Sequence, residues 1–547
     1  MTAVSVTTPP LGDDRLAKPE RALLAAAATG TLVDLRSGNP SQDNPANGAD
    51  WDASRVVRAE FLARLLMGEM LPESGRVRAV KLAGARISGT LDLEACTLVC
   101  TVLLRDCSFA ESVILTEAEA VSIRLPGCHL PSLRAGQLRT TASAEFDAGF
   151  TVSGGVTLQG AHIGGHVNFN GATLDNPGGP ALNADSLTVV QGMTCQDGFT
   201  AHGEVRLTCA HIGGVLSFNG ATLDNPGRRS LNAALLAVEQ SMLCQEFTAH
   251  GHVRLMSARI GGILNFIGAT LDNPGRRSLN ADRLITGQSM LCRDGFNAHG
   301  EVRLRSGHIG GQLSFTGATL SNPDGLAIDL RGVNIIGSLL LPKTKPSGAI
   351  DLTQAKTASL HDHQDGWPDV LHLRGFAYDS LANDKISCAA RLEWAERHPS
   401  GFTPQVYEQL GDCYRRAGDD ASARKVLVAK QRHRRRKYSP LSWLWLLTVG
   451  YGYRTWQALI WLAGLAVAGT VVYGHAHMTA VTAHPPAFQP FIYTLDVLVP
   501  VVGLGQKAAW QPNGGPLVWF NFALTVAGWA LATAVVAGLS GVLKRTP

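Results

Sequence analysis

The sequence predicts a mainly β protein: a quadrilateral β-solenoid with helical caps, followed by two C-terminal transmembrane helices. Three observations carry that expectation. A segment of 48 to 49 residues repeats along the chain, an apolar residue returns every five or six positions within each copy, and two long apolar runs stand near the C-terminus.

The repeat is anchored by GxVxL, at Gly154-Gly155-Val156-Thr157-Leu158, Gly203-Glu204-Val205-Arg206-Leu207, Gly251-His252-Val253-Arg254-Leu255 and Gly300-Glu301-Val302-Arg303-Leu304. Between anchors the order is fixed: GAHIGG, a V/L-x-F segment, GATLDNPG, LNADxL, a Met-x-Cys segment and GFTAHG. Apolar residues fall at Leu158, Ile163, Phe169, Leu174, Leu182, Leu187, Met193 and Phe199. That spacing is neither helical nor that of a plain strand. Eight short sides per copy fit two turns of a four-sided coil, with one apolar residue per side pointing inward and Ala161, Ala172 or Ala184 helping to turn the corner.

Ala172-Thr173-Leu174 and Ala184-Asp185-Ser186-Leu187 resemble the A-(D/N)-L-x-x units of the pentapeptide-repeat β-helices, whose fold is a quadrilateral solenoid. The five-residue register is looser here. The whole chain resembles a set of actinobacterial proteins with such a solenoid and a C-terminal membrane region, commonly labelled membrane-associated oxidoreductases. The resemblance implies a redox activity.

Degenerate copies begin at Leu82-Ala83-Gly84-Ala85-Arg86-Ile87 and continue past Ala349-Ile350-Asp351-Leu352. The solenoid is thus expected over residues 78–376, about a dozen coils, or about 55 to 60 Å at ~4.8 Å per stacked strand. Its ends would expose unpaired strand edges, so caps are expected. Residues 1–20 read as disordered and 21–77 as a helical cap, including an amphipathic helix over 52–70 begun by Asp52. Residues 377–437 read as a second helical cap and a basic linker, with helices over 384–398 and 404–437. Tyr407, Leu410, Tyr414, Ala421 and Leu427 would form the apolar stripe of a hairpin resembling a single tetratricopeptide unit.

A net charge of +4 is too mild to imply nucleic-acid binding. The first thirty residues do not read as a signal peptide, so the N-terminus is expected in the cytoplasm. Ten cysteines without close CxxC pairs fit reduced, buried thiols better than a disulfide framework. There is no GxGxxG between strand and helix, no GxxxxGK[ST] and no CxxCH, and neither a catalytic triad nor a carboxylate pair stands out. The residues therefore point to no cofactor, no metal and no catalytic group.

Equivalent positions of successive copies place His162, His211, Arg259 and His308 in one column and His202, His250 and His299 in another. Members of a column would lie ~10 Å apart, too far to share a zinc whose ligands sit ~2 Å from it. The columns read either as a striped recognition face or as exposed turn residues copied by duplication. Cys195, Cys244 and Cys292 form a third column beside Met193, Met242 and Met290, read as core. After GATLDNP, two copies carry Arg228-Arg229 and Arg276-Arg277, basic turns that could meet phosphates or acidic partners.

The membrane region is expected over 438–547, with spans at 455–473 and 517–543 and a re-entrant or interfacial segment at 488–505. Lys430, Arg432, Arg434, Arg435, Arg436 and Lys437 precede the first span and Lys544-Arg545 follow the second. The positive-inside rule then makes a multi-pass cell-membrane protein with solenoid and C-terminus cytoplasmic, the basic run facing anionic lipid. Asp496 is an acidic residue at membrane depth and hence a functional candidate, or else a helix cap. Thr448-Val449-Gly450-Tyr451-Gly452 spells a potassium-channel filter but precedes the first span, where a filter does not sit. Small residues such as Gly464 with Ala468 and Gly528 with Ala532 would allow close helix packing and homo-oligomers. Three functions stay open: a membrane-anchored scaffold or recognition protein without catalysis, an oligomeric two-span pore governed by the solenoid, and a membrane-associated oxidoreductase.

Overall fold

A chain that places one apolar side chain inward every five or six residues must turn just as often, and the computed structural model shows how it does so. The structure describes residues 16–383, 385–399, 401–435, 455–499 and 503–543, in two compact units, Met1–Gly401 and Phe402–Pro547.

In the first unit about 13 turns of chain stack into a parallel β-solenoid. One coil passes through His162–Ile163, Val167–Asn168 and the long strand Thr173–Asn183, whose two ends serve two sides. The next passes through Thr188–Val189, Met193–Thr194 and Thr200–Arg206. Two of the corners in each coil are tight turns with a left-handed residue in third place. The Leu158 carbonyl accepts from the Ala161 amide at 3.0 Å, across Gly160 at φ +65°. Leu158, Ile163, Phe169, Leu174, Leu182, Leu187, Met193 and Phe199 are all fully buried, as are the corner alanines Ala172 and Ala184. Each large apolar side chain withdrawn from water in this way contributes about 1.5–3 kcal/mol. Phenylalanines stack along the axis, Phe146 on Phe169 with centroids 5.1 Å apart.

His162 pairs with Thr188, Thr188 with His211 and Ala237 with Arg259, so coils of 26 residues alternate with coils of 22 or 23. The surplus lies in the Asp-Asn-Pro-Gly stretch of the longer coil, which arches away from the wall as a loop. Its base is clamped by the asparagine: the side-chain amide of Asn176 donates to the Pro180 carbonyl at 3.0 Å, Asn225 to Arg229 at 2.6 Å, Asn273 to Arg277 at 2.6 Å and Asn322 to Leu326 at 2.8 Å. These four loops form a row along one corner, two coils apart.

At the first end, a helix begins at Lys18, within the stretch expected to be disordered, and runs to Ala27 against the strand Ala79–Ala83. Its Glu20 is fully buried and bound by the Arg58 guanidinium at 2.6 Å. The helix expected over 52–70 is shorter. Asp52 caps only the turn Ala53–Arg55, Val56–Arg58 is a strand paired with Arg86–Ser88, and the helix is Ala59–Met67. The β-branched pair Val56-Val57 extends the ladder instead of the helix. At the other end the ladder runs past 376 to Leu381, and the helix Cys388–Glu396 closes it with Trp394 and Arg391 buried.

In the second unit, Pro404–Arg416 and Asp420–Arg435 form the expected hairpin. Its buried face is Val406, Tyr407, Leu410 and Cys413 with Ala423 and Val426, whereas Ala421 is exposed, so the second helix is rotated from the expected stripe. Three apolar helices, Thr455–Gly474, Pro490–Leu498 and Gly515–Leu543, pack around Tyr473, Tyr493, Leu498 and Leu524. Among the described residues one stretch, Gly515–Thr533, is long and apolar enough to cross a membrane, not two. The helix Thr455–Gly474 contributes a shorter apolar stretch, Leu459–Gly474. Pro490–Leu498, at nine residues, rises about 14 Å and cannot cross ~30 Å of hydrocarbon. Residues 436–454 and 544–547, including the filter-like Thr448–Gly452 and part of the basic flank, lie outside the described residues.

Candidate functional site

The projecting loops create a groove of about 840 Å³ along one corner of the solenoid. Successive loops form the walls of three crevices, and the tight corner of the short coil between them forms each floor. The floors are His202-Gly203-Glu204, His250-Gly251-His252 and His299-Gly300-Glu301. Arg228 and Arg229 stand on one wall of the middle crevice and Arg276 and Arg277 on the other, all exposed. Arg229 leans to Glu204 at 3.7 Å and Arg277 to Glu301 at 3.0 Å. The Arg276 guanidinium reaches across to donate to the Gly227 carbonyl at 3.0 Å. Four arginines against two glutamates leave the groove net positive.

Beside this groove the second histidine column is not a ladder of histidines alone. The register interleaves it with the aspartates of the loops, in the order Asp175, His202, Asp224, His250, Asp272, His299. His202 Nδ1 lies 3.4 Å from Asp224, while His250 and His299 flank Asp272 at 3.5 and 3.3 Å. Each histidine thus has an acidic neighbour one strand away at ~4.8 Å, half the spacing between the histidines themselves. The signal was in the sequence as the Asp of each DNPG, but seeing the alternation requires the coil lengths.

No protein-family model, no curated protein and no solved structure matches the chain. The expectation of an oxidoreductase therefore rests on sequence resemblance alone.

The structure brings Arg228, Arg229, Arg276 and Arg277 together, with His250 beside them. The first histidine column stands on a different sheet: His162, His211 and His308 alternate with Thr188, Ala237 and Ile285, and Arg259 takes one place. Their contacts are local, His211 with Glu239 at 3.8 Å and His308 with Asn334 at 3.3 Å. Cys195, Cys244 and Cys292 are fully buried beside equally buried Met193, Met242 and Met290. Burial pushes all three thiols far above the usual cysteine range, the opposite of what a reactive thiolate needs. Among the described residues no three His, Cys, Asp or Glu side chains gather as a metal site.

Asp496 is buried, and both of its oxygens are taken, one by the Leu504 amide at 2.9 Å and the other by the Lys507 amide at 2.7 Å. It ties the loop after Pro490–Leu498 back onto that helix. Of the basic run, Lys430 is paired with Glu408 and Arg432 is exposed. The side chains of Arg434 and Arg435, and Arg436 and Lys437 altogether, lie outside the described residues.

His252 is the residue that sequence spacing alone does not single out. It stands where the neighbouring copies have Glu204 and Glu301, and its Nε2 is buried with no hydrogen bond. Burial, then Arg277, Arg229 and Arg254, push it down to about 4. The unfolded chain would protonate this histidine near pH 6.5, and the folded chain only near pH 4. Its contribution is therefore intact above pH 6.5 and lost as pH falls through about 4. Between pH 7 and 4.5 the wild type is expected to lose about 1–2 kcal/mol more than His252→Gln, measured by denaturant unfolding; parallel profiles would contradict it.

Proposed function

We propose that this chain is a membrane-attached β-solenoid that recognises a partner along its loop-bearing corner and carries no catalytic centre of its own. The observation that carries the reading is the groove: four arginines and a paired His–Asp ladder are presented in register on one corner of a rigid stack. A solenoid holds such side chains at fixed spacing at no further conformational cost, which suits docking.

The apolar bundle supports attachment. On Gly515–Leu543 the residues Trp519, Phe522, Val526 and Trp529 form one stripe and are 76, 61, 68 and 57% exposed. A stripe of that kind is costly in water and at home in lipid. Gly515–Thr533 would be the anchoring span and Leu459–Gly474 its shorter companion, and by the positive-inside rule the basic run before Thr455 favours a cytoplasmic solenoid. The pore reading is weakened by Asp496, whose carboxylate is occupied by two backbone amides.

The test is site-specific photo-crosslinking of the full chain in its membrane. A crosslinker at position 228 is expected to give discrete adducts and one at position 188, on the other sheet, none. Equal labelling or no adduct at either position would sink the recognition reading, and a flavin or haem band in the purified protein would sink the non-catalytic one.

A further inference from the structure

The three crevices of the groove are built on one plan, yet the middle one departs from it. Its neighbours carry a glutamate on the floor, Glu204 or Glu301, and the middle floor carries His252. Both walls of the middle crevice are the arginine-bearing loops, whereas each outer crevice has only one such wall. The ion pairs point away from it as well: Arg229 turns back to Glu204 and Arg277 forward to Glu301. What remains inside is Arg228, the Arg276 guanidinium strapped to Gly227, and the buried Nε2 of His252 without a hydrogen bond. The carboxylates around it are engaged elsewhere, Asp224 and Asp272 against histidines and Glu204 and Glu301 against Arg229 and Arg277.

We propose that this middle crevice is a binding site for a phosphate-bearing anion of two or more negative charges, a phosphate monoester or a diphosphate. Arginine forks match phosphate oxygens in pairs. Arg276 needs only to exchange one neutral carbonyl acceptor for a charged one, and Arg228 needs no exchange at all. His252 Nε2 supplies a further donor at the floor from its Nε2–H tautomer, filling a hydrogen-bonding position that is otherwise vacant and costly. The outer crevices, with a carboxylate on the floor, would repel the same ligand. The inference deepens the recognition reading and rests on it for the use of this corner. It says that part of what is recognised is a phosphate group, whether from a soluble ester or from a lipid headgroup.

The decisive variant is His252→Glu, because it installs the residue that the flanking copies already hold at this position and so is compatible with the coil. The full chain in phosphatidylcholine nanodiscs is titrated with inorganic pyrophosphate by calorimetry. Saturable binding with one site per chain is expected, weakened about tenfold by Arg228→Ala or Arg276→Ala and lost in His252→Glu. Discs that also contain phosphatidic acid separate the sources: pyrophosphate binding suppressed there assigns the site to a headgroup, and unchanged binding assigns it to a soluble ester. No binding by the wild type in the phosphatidylcholine discs, or equal binding by wild type and His252→Glu, would overturn the proposal. The crosslinking experiment is independent of this titration, so adducts at position 228 without pyrophosphate binding would remove the phosphate site alone.

Discussion

Replacing Asp362 by alanine is expected to destabilise the closing end of the solenoid by about 3–5 kcal/mol, the scale for breaking a buried ion pair from one side. Asp362 and Arg391 are each only 1% exposed and joined by two hydrogen bonds, at 2.6 and 2.7 Å. The carboxylate also accepts from the Trp367 indole at 2.8 Å. Trp367 and Trp394 both lie 5.6 Å from the guanidinium, so alanine would leave a cation among aromatic rings without its counter-charge. That cation can be rehydrated only if the helix Cys388–Glu396 lifts. Lifting exposes the free edge of Ala377–Leu381, an edge that invites association. The expected signature is a lowered first unfolding transition in calorimetry together with larger particles in light scattering. Asp362→Asn, which keeps an acceptor for Trp367, should fall between. An unchanged transition and an unchanged particle size in Asp362→Ala would show that the helix is held by its apolar contacts alone.

That ion pair was not legible in the sequence, and the reason is general to repeat architectures. Within the repeat, each inward position is announced several times over, so Leu158, Phe169 and Met193 could be placed by spacing and all prove buried. Asp362, Trp367 and Arg391 lie where the repeat has decayed, and only three-dimensional proximity links them. The same limit explains the first end, where Val56–Arg58 joins the ladder although its neighbours suggest a helix. The groove was half legible. Its arginine pairs stand out by comparing copies, whereas the pairing of His250 with Asp272 depends on alternating coils of unequal length. In the apolar region, composition located the helices but not their packing around Tyr473 and Tyr493, which only the folded chain brings together.

Gly251→Ala is expected to cost about 3 kcal/mol, whereas Gly227→Ala in the adjoining loop should cost about 1 kcal/mol. Both glycines have positive φ, +130° and +72°, so both substitutions pay for a left-handed backbone. They differ in what a methyl group would meet. At Gly227 nothing lies within 4 Å, whereas at Gly251 the methyl would stand 2.6 Å from the Asn225 carbonyl oxygen and 2.9 Å from that of Arg228. Those carbonyls belong to the overhanging loop, whose base is fixed by the Asn225 side chain, so the loop cannot yield without losing that clamp. Gly203, Gly300 and Gly348 repeat the arrangement with φ of +130°, +124° and +124°, each under the asparagine carbonyl of its own loop. The glycine column is therefore the hinge line on which the groove is built, and its tolerance measures how rigidly the loops are held. Unfolding midpoints of the two single variants and the double variant would test this. A cost confined to Gly251→Ala beyond the shared backbone penalty means the loop rests directly on the corner, and equal costs would mean that it stands clear of it and that the groove is softer than its hydrogen bonds imply.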